Sequence, residues 1–325
     1  MAEDIYKRLR ECVDQYGTGF PATASGIEIE VLRRFFTEAE ARMYTLLTPD
    51  MAPADDIAKK TNQAVETVTE VLAGMKAKGL VIGLGEKETG NYYMPASFIP
   101  GFFEHNSFTM DSETAEICEK YFRGGFKQKE IFLRTVPVET SVSSSTSVAP
   151  YHDIRKIVKG KDRIMVTKCA CMNQQLLLGN TIDQPHEVCF AFDDVADYWN
   201  EFGHGRYVTQ EEALEILREC EKAGLVPNPS KGDTIMALCN CGKACYHLDQ
   251  LRMRPRPSDD AESGYFAEVD GDLCSACETC VDRCHMDAVS IGASDAAEID
   301  LDRCIGCGIC IVTCPEEALS LRLKA

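Results

Sequence analysis

Two runs of cysteine at a fixed offset constrain this chain more than any other feature. Cys274, Cys277, Cys280 and Cys284 form a C-x-x-C-x-x-C-x-x-x-C run, and Cys304, Cys307, Cys310 and Cys314 repeat it thirty residues later, followed by Pro315. The register extends beyond the cysteines. Ala267-Glu268-Val269-Asp270 realigns with Ala297-Glu298-Ile299-Asp300, and Ala288-Val289-Ser290-Ile291 with Ala318-Leu319-Ser320-Leu321. A tandem duplication of one unit follows, made of a strand, a cysteine loop, a short helix and a strand. Three cysteines at this spacing on a tight loop reach three corners of a metal–sulfur cube. The next, at the helix, points away from them.

Over about residues 263–325 this pattern resembles the bacterial ferredoxin family, whose members carry two [4Fe–4S] clusters. In that family the fourth cysteine of each run ligates the other cluster. The resemblance therefore implies one cluster on Cys274, Cys277, Cys280 and Cys314, and another on Cys304, Cys307, Cys310 and Cys284. Zinc ribbons also use C-x-x-C units, but eight cysteines in duplicated order make them poor competitors. Two departures stand out: His285 occupies the place of Pro315, and Gly306 and Gly308 have Ala276 and Thr279 at or beside the corresponding positions. Hydrogen bonds to sulfur help set cluster potentials, so the two clusters are expected to differ.

The chain has 325 residues, enough for two or three domains. It opens without an apolar leader, and no stretch approaches the ~20 apolar residues of a membrane span, so a soluble, cytoplasmic protein is expected. Seventeen cysteines then argue for metal over disulfides. Eight lie in the duplicated unit, six in the middle of the chain, and Cys12, Cys118 and Cys220 stand alone. Such thiol content points to an anaerobic or low-oxygen host. Of the net charge of −18, residues 258–325 contribute −11, which steers basic partners and repels nucleic acid and anionic membranes.

The expected fold class is α+β multidomain: an N-terminal winged helix, a central α/β cysteine domain and a C-terminal ferredoxin-like dicluster domain. The domains are placed at 1–110, 111–257 and 258–325. In the first, Thr37 and Glu40 form a capping box. A helix, a short helix around Ile57–Lys60, a helix with Val65, Val68, Leu72 and Met75 inside, and two wing strands (Gly79–Ile82, Asn91–Met94) complete an order over 37–97 that resembles winged-helix domains of bacterial regulators. DNA binding draws its affinity from Lys and Arg on phosphate, whereas the helix in the recognition position carries Glu66 and Glu70. Docking is the preferred role. Phe102 and Phe103 are assigned to core.

In the middle third, 111–124 reads as a helix with Cys118 inside, 140–148 as a Ser/Thr-rich loop, 152–158 as a short helix and 163–167 as a strand. That strand runs into Cys169-Ala-Cys171. Cys189 follows, and then Cys239-Asn-Cys241-Gly-Lys-Ala-Cys245. Alternation along a strand puts both sulfurs of a C-x-C unit on one side. These six thiols are read as a metal site, first as a third [4Fe–4S] cluster, with zinc or unliganded thiols as alternatives. His186 and His247 are the other candidate ligands. Thr209 with Glu212 opens a further helix that contains Cys220 and ends at Gly224. The segment from Cys169 to the second C-x-C, joined to a dicluster unit, resembles a family of iron–sulfur proteins from anaerobic bacteria; the resemblance implies no substrate. Arg252, Arg254 and Arg256 form either a solvated hinge or a strap across the acidic C-terminal part.

Three functions fit. The first is an electron-transfer protein or subunit relaying single electrons to or from a partner redox enzyme or larger complex. The second is a reductase, an iron–sulfur oxidoreductase with its substrate beside the central cysteines, although no dinucleotide fingerprint, Walker loop or acid–base constellation is present. The third is a redox-sensing transcription regulator, which the charge disfavours. The sequence is compatible with a homo-oligomer and names no catalytic residue.

Overall fold

The structure is a computed structural model and describes residues 4–85, 92–141 and 153–324. The chain divides into two compact units: Met1–Glu130 with Asn173–Asn180, and Ile131–Met172 with Thr181–Ala325. Asn91, most of the Ser/Thr-rich segment and His152 lie outside the described residues.

In the first unit, α1 (Ile5–Val13) is capped by the Asp4 carboxylate and buries Tyr6, Leu9 and Val13, one stripe at helical spacing. Next come α2 (Ile27–Phe35), α3 (Glu38–Tyr44), β1 (Ala52–Pro53), α4 (Ala54–Thr61), α5 (Val65–Ala77), β2 (Val81–Leu84) and β3 (Tyr92–Pro95). β3 lies between β1 and β2, antiparallel to both. The Thr37 box closes as expected: its hydroxyl accepts from the Glu40 N–H while Glu40 accepts from the Thr37 N–H. α5 buries Val68, Leu72 and Met75. α6 (Phe103–Asn106) and α7 (Ser112–Gly124) complete the unit around an aromatic core. Phe98 packs edge-on to Phe20 at 4.8 Å, and Phe102 and Phe103 are fully buried with it. Cys118 is buried within α7, as its place in the apolar stripe predicts.

The second unit is built on a five-stranded sheet. After α8 (Ile154–Lys159) come β4 (Ile164–Lys168), α9 (Ala170–Leu177), which belongs to this unit only as far as Met172, β5 (Glu187–Phe192), α10 (Asp193–Glu201), β6 (Gly205–Val208), α11 (Gln210–Lys222), β7 (Val226–Pro229) and β8 (Ala237–Cys241). The order is β6-β4-β5-β8-β7, and every pair is antiparallel. The expected α/β centre is therefore corrected to α+β, because a helix between strands here returns the chain antiparallel and not as a parallel crossover. One sheet face packs Val166, Phe190, Phe192 and Leu238 against α8 and α11; the other packs Met165 and Ala191 against α10. Thr209 caps α11, but the Glu212 carboxylate turns to Arg206 and does not close a box.

α12 (Tyr246–Arg252) and α13 (Pro257–Asp260) lead into β9 (Tyr265–Val269), α14 (Thr279–Arg283), β10 (Val289–Ile291), β11 (Ala297–Ile299), α15 (Ile309–Val312) and β12 (Leu319–Leu323). β9 pairs with β12 and β10 with β11. Each repeat thus gives its first strand to the other's last, in equivalent register: Val269 faces Leu319, and Val289 faces Ile299. Left-handed residues also recur at the repeat offset, at Ala276 and Gly306, Glu278 and Gly308, Asp287 and Glu317. The position matching Gly308 is therefore Glu278 and not Thr279. The arginines before this part lie across it: Arg252 reaches Asp287 (3.7 Å) and Arg256 reaches Asp302 (3.1 Å). Among the described residues no helix is long and apolar enough to cross a membrane.

Removing the Thr37 hydroxyl leaves a helix N-terminus short of its cap. Thr37→Ala is expected to cost about 1 kcal/mol, read as a lower urea midpoint for the first unit; an unchanged midpoint would show the box to be dispensable.

Candidate functional site

The eight duplicated cysteines fall around two cavities in the C-terminal part, of roughly 340 and 400 Å³ with their mouths included. Cys274, Cys277, Cys280 and Cys314 line the first. Cys284, Cys304, Cys307 and Cys310 line the second. Each cavity takes three sulfurs from one repeat's loop and one from the other repeat's helix end. The strand exchange accounts for this, since it lays each loop beside the opposite helix. Backbone N–H groups donate to the sulfurs: Ala297 to Cys274, Ala267 to Cys304 and Ala288 to Cys284, each at 3.4 Å. Four soft thiols around a space, with amide donors aimed at sulfur, suit an iron–sulfur cube.

The two cavities differ in surroundings. The first loop faces solvent: Cys277 is exposed and Leu273 is 53% exposed. The second is covered by the chain's own segment 131–141. That segment runs along the β7 edge, with Arg134 N–H donating to Pro229 O and Val136 N–H to Pro227 O, and then donates from Val138 N–H to Cys307 O at 3.0 Å. At Gly306 (φ +63°) an added Cβ would stand 2.1 Å from the Tyr265 carbonyl oxygen, and at Gly308 2.2 Å from Ser141 Oγ. These glycines are needed where backbone meets backbone or a buried side chain. In the exposed loop Ala276 and Glu278 hold the same left-handed backbone, with φ of +52° and +62°. Thiol acidity follows the contrast. Hydrogen bonding with Thr279 lowers Cys277, whereas burial pushes Cys307 up to about 12.

The place of Pro315 is taken by His285 for a reason outside the cysteine loop. Its Nε2 meets Gly224 O at 2.7 Å, and Arg283 donates to Glu221 O (3.0 Å) and Lys222 O (2.7 Å). The Glu221 and Lys222 carbonyls end α11, where a cationic donor such as Arg283 is favourable, while burial lowers the His285 imidazole, which meets the carbonyl just past the helix. The first repeat's helix is thereby pinned to the sheet part of its unit, and one apolar core runs from Val188 and Leu225 through to Ile305 and Leu319.

All six central cysteines gather at one end of the sheet. Cys189 on β5 faces Cys239 on β8. Cys241 ends β8 and Cys245 is the N-cap of α12. The strand-alternation argument holds for Cys239 and Cys241. It fails for the first C-x-C, because Cys169 follows β4 and Cys171 lies in the first turn of α9. Cys169, Cys171 and Cys245 have sulfurs all within 4.8 Å of one another, with Cys169 and Cys245 at 3.9 Å. The neighbouring thiols of Cys169 and Cys239 raise that of Cys189, and Cys245 raises that of Cys241. Thiol hydrogen bonds, first from Cys171, hold Cys169 well below its usual range, and the same bond raises Cys171.

Of the two histidines, His186 gives its carbonyl to the Cys169 N–H at 2.8 Å. His247 is buried, its Nε2 has no hydrogen-bond partner, and burial lowers its imidazole to about 3. Cys220 is also pushed up to about 12 by burial, first of all, and Cys118 likewise, so both stay protonated. Neither lines a cavity described above. Sequence reasoning missed the pinning role of Arg283 and the covering segment 131–141; neither leaves a local motif.

A family model described as a 4Fe-4S binding domain matches residues 297–320. Comparison with curated proteins and with solved structures found no match. The C-terminal part therefore carries a ferredoxin-like iron–sulfur element that binds at least one [4Fe–4S] cluster, in keeping with an electron-transfer role.

Because Gly306 combines a left-handed backbone, worth ~1–2 kcal/mol to an L-residue, with a backbone clash, Gly306→Ala is expected to lower the iron bound per chain. Ala276→Gly should leave iron unchanged. Equal retention in both variants would show that the covered loop tolerates a side chain.

Proposed function

We propose that this chain is an electron-transfer protein that passes single electrons through two [4Fe–4S] clusters to or from a partner redox protein. The observation that carries this reading is the cavity lining. Cys274, Cys277, Cys280 and Cys314 would hold one cube, and Cys304, Cys307, Cys310 and Cys284 the other. A cube supplies a one-electron couple whose potential depends on hydrogen bonds to sulfur and on solvent exposure. The protein's own residues set both: three amide donors reach the sulfurs, and segment 131–141 covers one loop while leaving the other open.

The open loop is the exchange end. Exposed Leu273 and Cys277 lie among Asp270, Asp272, Glu278, Glu316 and Glu317, all exposed, and no lysine or arginine lines the cavity. An apolar contact ringed by carboxylates favours a partner with a basic face. The covered cube, against the body of its own unit, is the inner station. Residues 37–97 are read as a winged-helix-like docking module, supported by the order helix, strand, two helices, two strands and a three-stranded sheet. Exposed Glu66 and Glu70 on α5 oppose a DNA-reading role.

Small charged oxidants test the exchange end on the anaerobically purified, reduced chain. Hexaamminecobalt(III) should oxidise it faster than its charge alone predicts at high salt, with a rate that falls as salt rises. Glu278→Lys with Glu316→Lys should slow that reaction several-fold and speed oxidation by ferricyanide. If the doubly substituted protein keeps its iron and neither rate moves, the open loop is not where electrons cross.

A further inference from the structure

The central thiols and the C-terminal thiols stand at different spacings, and spacing bears on how many metal atoms a site holds. Thiolates around one tetrahedral ion, at a metal–sulfur distance of ~2.3 Å, lie about 3.8 Å from one another. The ligands of a cube each bind a different iron, with the metals and sulfides between them, so their sulfurs stand farther apart around a space. The chain holds its own comparison. Among the described residues no three of the eight C-terminal cysteines bring their sulfurs within 4.8 Å of one another, and they line cavities instead. Cys169, Cys171 and Cys245 do come within that distance, and the 3.9 Å between Cys169 and Cys245 matches ligands sharing one ion.

We infer that the central cysteines hold a single tetrahedral ion, with zinc its expected occupant, on Cys169, Cys171, Cys245 and Cys241. Cys241 supplies the fourth sulfur because, like Cys169 and Cys245, it is buried, and it ends β8 four residues before Cys245. Cys189 is only half-buried and stands on the sheet, facing Cys239 across β5 and β8. Phe192 N–H donates to Met236 O, so alternation makes the Cys189–Cys239 pair a non-hydrogen-bonded one, with its side chains close together. Those two residues stand opposite each other beside the site. The inference goes beyond the electron-transfer reading: zinc has no redox chemistry, so the centre acts as a clamp. It ties the ends of β4 and β8, which are not neighbours in the sheet, to the first turn of α9 and the start of α12.

The test is iron, zinc and acid-labile sulfide per chain, on full-length protein purified anaerobically from medium supplying both metals. The expected result is about one zinc beside about eight irons and eight sulfides, at four of each per cube. Cys171→Ser should lose the zinc and keep the iron, Cys310→Ser should lose about four irons and keep the zinc, and Cys189→Ser should keep both. About twelve irons with twelve sulfides would overturn the inference, as would eight irons with no further metal. Should Cys171→Ser not fold, cobalt(II) exchanged into the intact chain reads the same geometry. Intense tetrahedral thiolate bands support the single ion; a cobalt spectrum without them overturns it. Failure of the electron-transfer reading looks different, as iron well below eight with the central ion in place.

Discussion

The C-terminal part depends on an exchange of strands. β9 completes its ladder with β12, and β10 with β11, so neither repeat closes its own sheet. Each cysteine loop is consequently laid against the helix end of the opposite repeat, and each cavity draws its thiols from both. A half-unit alone would have unpaired strand edges and three sulfurs where four are needed. The ligand crossing and the strand crossing are one constraint seen at two scales.

Onto this symmetric core the chain imposes a difference. Arg283 and His285 reach the end of α11, whereas the second repeat has Thr313 and Pro315 at the equivalent places. The glycines follow the same division. Gly306 and Gly308 lie where Tyr265, Ser263 and Ser141 press in, while their counterparts Ala276 and Glu278 have room for side chains. The departures from a regular repeat thus mark which half faces inward. Surface ion pairs such as Arg256–Asp302 add little beside this packing.

What could be read in advance was local. Cysteine spacing sets loop geometry over a few residues, so the duplication was legible, whereas which thiols share a cavity was implied only by the resemblance to ferredoxins. The Thr37 box and the burial of Cys118 were legible too, both fixed within one or two helical turns. The central sheet was not, since the order β6-β4-β5-β8-β7 is decided by pairings between distant segments that leave no spacing behind. The first C-x-C misled for a related reason. Ile164–Lys168 does form a strand, but the chain turns into α9 at Ala170, and Cys171 takes its direction from a helix. Glu212 shows the limit of a motif: the residues of a box were present, and Arg206 offered its carboxylate a better partner.

The covering of the second loop also bears on how the protein is made. Val138 is hydrogen-bonded to Cys307, and Ser141 stands against Gly308, on the same loop that lines the inner cavity. Residues 131–141 leave the ribosome long before Cys304–Cys314, so the covering segment is waiting when the last cysteines emerge. The loop Cys304–Cys310 therefore closes against chain already made, and its shape is moulded by that segment. The outer loop, with Cys277 open to solvent, has no such template. Two copies of one loop are thus finished differently, one cast against an older part of the chain and one left to its own backbone.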